Sequence, residues 1–188
     1  MAHNLDPFRL DESGLSPAFF MSQLPTATDQ HIDELEKIVR RTQRSARICM
    51  FPDPSSPLHA MIICQPQGMD SLPRVLATKP KLFMPLRGRL VLVRLGDDGV
   101  VESSSVLIPG REVLSYVEPR KAYLDLPIDP VTTHLEITLG PHDRIGDRNF
   151  PRFDWDISPE TRTSWRNQQI ASALTAEDKG SVFDNNTP

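Results

Sequence analysis

The spacing of apolar positions changes period along the chain. Over residues 29–43, DQHIDELEKIVRRTQ, the residues Ile32, Leu35, Ile38 and Val39 fall on one stripe at helical spacing. Asp29 can cap the start, and acids precede Arg40 and Arg41, the order that the helix dipole favours. From about residue 46 to 140 the apolar runs become short: ARICMF, HAMIICQ, RLVLVRL, VVESSSVLI, EVLSYVE, KAYLDL and VTTHLEITL. Pro or Gly turns separate them. Within RLVLVRL, the residues Leu90, Leu92 and Arg94 alternate with Val91, Val93 and Leu95, and both faces are mostly apolar. Gly96–Gly99, GDDG, then turns the chain into the next run. Many short strands at regular spacing predict a mainly β sandwich or barrel. No βαβ alternation is present, which argues against a Rossmann sheet.

The flanks have a different character. Residues 1–28 form an N-terminal arm with no clean period, in which GLSPAFFMSQLP can pack as a short apolar stretch. GPHDRIGDRNFPRFDWD reads as an aromatic loop lying back on the sheet, so residues 29–157 make one domain with a leading helix. SPETRTSWRNQQIASAL predicts a second helix, with Ser158 as N-cap and Pro159 at the first helical position. Its Trp165, Ile170 and Leu174 can dock on the domain. Residues 176–188 read as a disordered tail.

Composition narrows the function classes. Eighteen prolines in 188 residues suit short strands and turns. No apolar run is long enough for a transmembrane helix, and the N-terminus lacks a basic region followed by an apolar one. A cytoplasmic protein with free thiols is expected. A net charge of -4 argues against a general polyanion binder, so neither nucleic acid nor membrane is expected as partner. Cys49 and Cys64 lie in apolar runs and lack a paired zinc motif, and so read as buried inert thiols. No phosphate-binding glycine loop, nucleophile elbow or zinc-finger spacing occurs. Among the histidines, no two stand at i, i+2 or i, i+4. His59 and His134, on neighbouring strands, could pair on a metal but read as scattered polar positions.

Several pieces, in order, resemble the WbuC-type family of cupin-fold metalloproteins: RSARICMF, HAMIIC, KPKLFMPLRGRLVLVRLGDDGVV, YVEPRKAYLDL and LEITLGPHDRIGDRNFPRFDW. They span roughly residues 40–157. The resemblance implies a cupin double-stranded β-helix, a small jelly-roll barrel, with an N-terminal and a C-terminal helix. It also implies a link to surface-polysaccharide biosynthesis and a homodimer. Phe150, Phe153 and Trp155 match the family's closing segment.

A typical cupin supplies His-x-His, a Glu and a later His to a metal in the barrel mouth. Here the corresponding positions hold Arg74, Leu76, Lys81 and Tyr123, while an upstream His and Asn fall on Phe51 and Cys49. No metal and no cofactor are therefore expected. Arg74, Lys79, Lys81, Arg87 and Arg89 form a basic run without a close acid in sequence. If the inward face carries Lys79 and Lys81, the mouth is electropositive and takes a small anionic molecule, such as a sugar phosphate. The other reading is a solvated strand edge. Tyr123 can donate in that pocket or sit as a core-rim tyrosine. Glu136 and Glu118 can be pocket carboxylates or ordinary strand residues. The candidate ligand-binding set is Arg74, Lys79, Lys81, Tyr123 and Glu136. Three functions compete: a metal-independent small-molecule binding or accessory protein, a cupin-type sugar isomerase or epimerase, and an interaction scaffold.

Overall fold

A computed structural model of the chain describes residues 5–12, 16–21, 26–141 and 157–181. Its first elements are β1 (Phe8–Asp11), β2 (Ala18–Met21) and α1 (Asp29–Thr42). The stripe Ile32, Leu35, Ile38 and Val39 is buried as its spacing requires. The cap differs from expectation by one residue: Thr28 is the N-cap and Asp29 opens the helix. The Thr28 amide donates to Nδ1 of His31 at 3.0 Å, so that a histidine fills the role more often given to Glu or Gln. Gln43 ends the helix at φ 53°.

The strands β3 (Ala46–Cys49), β4 (Leu58–Pro66), β5 (Lys81–Arg87), β6 (Leu90–Leu95), β7 (Val101–Leu107), β8 (Ser115–Val117), β9 (Ala122–Pro127) and β10 (Val131–Leu139) follow, then α2 (Pro159–Ser181). One sheet has the order β1-β2-β3-β4-β10-β5-β8 and the other β7-β6-β9. An isolated bridge between Arg74 and Tyr123 adds the segment before β5 to the outer side of β9. Taking β4, that segment and β5 to β10 as eight barrel strands in chain order, the first sheet reads first–eighth–third–sixth. The second reads second–seventh–fourth–fifth. This is the strand order of a jelly roll, the barrel of the cupin fold.

Each sheet is covered on its outer face, which explains why the strands carry so few outward polar positions. Helix α1 lays Ile32, Leu35, Ile38 and Val39 on Ala46, Ile48, Ile62 and Cys64. Helix α2 lays Trp165, Ile170, Ala173 and Leu174 on Val91, Val93, Val106 and Leu124. The alternate residues Leu90, Leu92, Leu107 and Val117 face into the barrel with Phe83 and Tyr123. The double apolar face of LVLVRL is thus one face under α2 and one inside.

The apolar stretch of the N-terminal arm packs as sheet: β1 and β2 form an antiparallel pair, and β2 joins β3 in parallel, extending the first sheet. One expectation is corrected. Helix α2 continues to Ser181, so residues 176–181 are helical where a tail was expected. The aromatic closing segment with Phe150, Phe153 and Trp155 lies outside the described residues, as do residues 182–188. Among the described residues, no helix is long and apolar enough to cross a membrane.

Candidate functional site

Strand alternation decides which side chains enter the barrel. On β10, Val131, Leu135 and their neighbours serve the α1 side, while His134 and Glu136 are buried with the interior. A register shift between Thr133 and His134 against β5 marks a bulge at the start of this polar pair. On β9, Ala122, Leu124 and Leu126 lie under α2, and Tyr123 and Asp125 take the opposite face. On β5, Lys81 and Phe83 share a face, and Phe83 is inside. β4 adds Gln65, and the bridge segment adds Arg74.

These side chains meet in one buried polar cluster. Lys81 Nζ donates to Glu136 Oε2 at 2.6 Å, with the side chains 9% and 2% exposed. His134 Nε2 lies 3.4 Å from Glu136 Oε1. Arg74 forms an ion pair with Asp125, and Gln65 Nε2 donates to the other oxygen of Asp125 at 2.6 Å. Tyr123 joins the two halves: Arg74 Cζ lies 5.5 Å and Lys81 Nζ 5.4 Å from its ring centroid. The Lys81 ammonium is also 5.6 Å from the Phe83 ring, so it is held between two aromatic faces. Arg74, 40% exposed against 0% for Asp125, marks the end where the cluster meets solvent.

Four of the five candidate residues, Arg74, Lys81, Tyr123 and Glu136, are thus brought together. Lys79 is not: its Nζ donates to the carbonyl of Pro141 at 2.5 Å, on the exposed side of the strand start. The predicted convergence of two lysines does not occur, because β5 begins at Lys81 and the period of two does not reach back through Pro80. The expected excess of positive charge is corrected as well. Lys81 and Arg74 each have a carboxylate, so the cluster's formal charges balance. Arg87 and Arg89, which lack an acid nearby in sequence, find Asp29 and Asp33 on α1 and Asp129 after β9. Glu118 is exposed in the β8–β9 turn and takes no part.

Sequence reasoning missed Gln65, Asp125 and His134. His134 reads in the sequence as a scattered polar position and is instead central. His59 is four positions away in the β4–β10 register and stacks on Phe51 at 4.1 Å, so the two histidines do not form a pair. A usable signal existed: Tyr123/Asp125 and His134/Glu136 are each spaced by two in strands that are otherwise apolar or uncharged.

Electrostatics hold the Lys81–Glu136 pair ionised. Burial is the largest single influence on the Lys81 ammonium and pushes it down, but the charge of Glu136, the Tyr123 side chain and the hydrogen bond to Glu136 together outweigh it, and the net direction is up. Burial pushes Glu136 up, yet Lys81 and then the His134 contact bring it well below the ordinary carboxylate range. Polar atoms remain unmet: Gln65 Oε1, Arg74 Nε, Tyr123 Oη and His134 Nδ1 have no hydrogen-bond partner among the described residues.

A cupin barrel implies a metal, and Asp125, His134 and Glu136 do offer ligand atoms within 4.8 Å of one another. With Lys81 and Arg74 in place they do not fit one. Both carboxylates already serve a cation, and a divalent ion among the three donors would stand roughly 4 Å from the Lys81 ammonium. At an effective dielectric of about 20, that repulsion is on the order of 8 kcal/mol. The ion would also leave about two uncompensated charges in a buried site.

No protein-family model matches the chain, and no curated protein matches it in sequence. Solved structures do resemble it. A protein from Thermus thermophilus is 14% identical over 62% of this chain and 97% of that chain, with a TM-score of 0.47. A cupin superfamily protein from Desulfitobacterium hafniense is 14% identical over 51% of this chain and 77% of its own, with a TM-score of 0.42. A sugar phosphate isomerase from a cupin superfamily, from Silicibacter pomeroyi, is 19% identical over 45% of this chain, with a TM-score of 0.37. The chain spans 52% of the length of that isomerase and 22% of the 11S globulin procruciferin from Brassica napus. The cupin-type fold stands on the strand order described above.

Proposed function

We propose that the chain is a cupin-type binding or accessory protein. It takes a small hydroxylated molecule, of the sugar or sugar-phosphate kind, into the barrel without a metal. The observation that carries this is the set of unmet polar atoms around one buried cluster: Gln65 Oε1, Arg74 Nε, Tyr123 Oη and His134 Nδ1. A buried polar atom left without a partner costs about 1–3 kcal/mol. A polyol offers donors and acceptors at close spacing and suits such a set. The internal charge balance favours hydroxyl groups over a bare anion in the interior, and a phosphate fits only at the half-exposed Arg74 end. The residue pieces resembling the WbuC-type family support a cytoplasmic, homodimeric accessory role near surface-polysaccharide synthesis. Thermal melting against hexoses, hexose phosphates and inorganic phosphate tests the reading. A hexose or hexose phosphate is expected to raise the Tm with concentration, by up to about 2.7 kcal/mol of stability at a hundred times Kd. Tyr123→Phe is expected to reduce the shift. Equal response to inorganic phosphate alone, or no response to any of them, counts against it.

A second reading has its own observation. With His134 Nε2 donating to Glu136, Nδ1 presents a lone pair, and Tyr123 carries a phenolic proton; both rings pack on Phe83, at 5.6 and 5.7 Å. A base oriented by a carboxylate and a nearby acid are what a sugar isomerase or epimerase uses. Deuterium incorporation from solvent into a bound sugar, lost in His134→Gln, would favour that activity over simple binding.

A further inference from the structure

We propose that Lys81 is a built-in cation that takes the place of a divalent metal in this barrel and keeps a latent metal site closed. Three donors of the kind that hold a transition metal, an imidazole and two carboxylates, already stand within 4.8 Å of one another. Each comes from the middle of a paired strand, His134 and Glu136 from β10 and Asp125 from β9, so the backbone fixes their spacing. What fills the site electrostatically is an ammonium. Lys81 Nζ is 2.6 Å from Glu136 Oε2, its side chain is 9% exposed, and Phe83 and Tyr123 enclose it. A flexible surface lysine would swing away from an arriving ion. This one has two aromatic walls and only a narrow solvent-facing fraction, so it cannot leave without unpacking the barrel. Arg74 performs the same service for Asp125 from the mouth, but its side chain is 40% exposed and has room to turn outward. Lys81 is therefore the lock and Arg74 the yielding partner.

This goes beyond the ligand reading, with which it shares only the metal-free wild-type barrel. A sugar can fail to bind while the cation titration succeeds, and the reverse can also happen. Donors of this mix suit Co2+, Zn2+ or Mn2+ better than Mg2+ or Ca2+. Purified wild type and Lys81→Met are titrated with Co2+ at neutral pH, reading the visible absorption of the ion, and with Zn2+, reading the melting temperature. Wild type is expected to bind neither stoichiometrically. Lys81→Met leaves Glu136 without its cation, and one Co2+ per chain is expected to bind, tighter than to wild type by at least roughly a hundredfold. Zn2+ should then raise the Tm of the variant and not that of wild type. Adding His134→Ala to Lys81→Met should abolish both signals. If Lys81→Met does not fold, Lys81→Gln keeps a polar contact to Glu136 and carries the same expectation. A folded Lys81 variant that gains no affinity overturns the proposal. So does a wild-type protein that binds one ion per chain and loses it in His134→Ala.

Discussion

Removing the charge on Glu136 tests how far the buried cluster depends on its own balance. In Glu136→Gln the Lys81 ammonium stays in a site where its side chain is 9% exposed and its carboxylate partner is gone. Stranding one partner of a buried pair typically costs about 3–5 kcal/mol. For a chain of this size each kcal/mol moves the Tm by roughly 2–4 °C, so a fall of about 6–20 °C is expected. The double variant Lys81→Met/Glu136→Gln leaves no buried charge at this position and should recover a large part of the loss, because neutral replacement of a whole pair is far milder. Urea unfolding of wild type, Lys81→Met, Glu136→Gln and the double variant gives the coupling energy directly. Acid adds a signed test. Because Glu136 is held below its ordinary value, its contribution is present above the unfolded carboxylate range, near pH 4.3, and is lost as pH falls through the folded value. Lys81 is raised, so its contribution is complete below its unfolded value, near pH 10.4, and lost at higher pH. Wild type should weaken on both flanks, and the double variant should lose both contributions. A Glu136→Gln protein within about 1 kcal/mol of wild type would refute the buried-pair reasoning.

Other outcomes follow from single features. Gly88 sits at φ 68°, and an added Cβ would lie 2.8 Å from the Val131 carbonyl oxygen. Gly88→Ala should therefore cost at least about 1–3 kcal/mol, read by chemical denaturation. Burial pushes the Cys49 and Cys64 thiols up to about 12. Iodoacetamide at pH 8 should label neither in the native protein and both in urea, by mass spectrometry. Asp70 accepts from Arg162 and Arg166 on α2, and those contacts hold its carboxyl below the usual range. Asp70→Ala should loosen α2 and shift Trp165 emission to the red at a cost of about 1 kcal/mol, Asp70 itself being half exposed.

Period and punctuation made the barrel legible. RLVLVRL, KAYLDL and VTTHLEITL carry their strand character in alternation, and GDDG marks its own turn. β1 and β2 have only four residues each, too few for a period to stand out, and their existence depends on the open edge of β3. In the site, Arg74, Lys81 and Tyr123 were readable because they stand at the positions where a cupin carries metal ligands, and Glu136 because it is a strand carboxylate that could face the pocket. Gln65 was not, because one polar residue in an apolar strand looks like a tolerated exception until its cross-barrel partner, Asp125, is known. The pairing of Arg87 with α1 and of Arg89 with Asp129 is likewise tertiary: the acids stand some 40 or more positions away in the chain. Charge runs judged along the sequence miss partners of that kind.

The jelly-roll order has a consequence for how the chain reaches this state. β10 lies between β4 and β5, so Leu58 must wait for Leu139 and the edge of LHAMIICQP stays open until nearly the whole barrel has been made. Closing such a span before any contact rewards it is slow, and folding on the millisecond-to-second scale of non-local β proteins is expected. During that interval a long apolar strand with unpaired amides is exposed to other chains. Helix α1 precedes β3 and β4 and already covers their outer face, burying Ile48, Ile62 and Cys64. The early helix thus acts as a guard on the nascent sheet, leaving only its free edge to be protected until the last strand arrives.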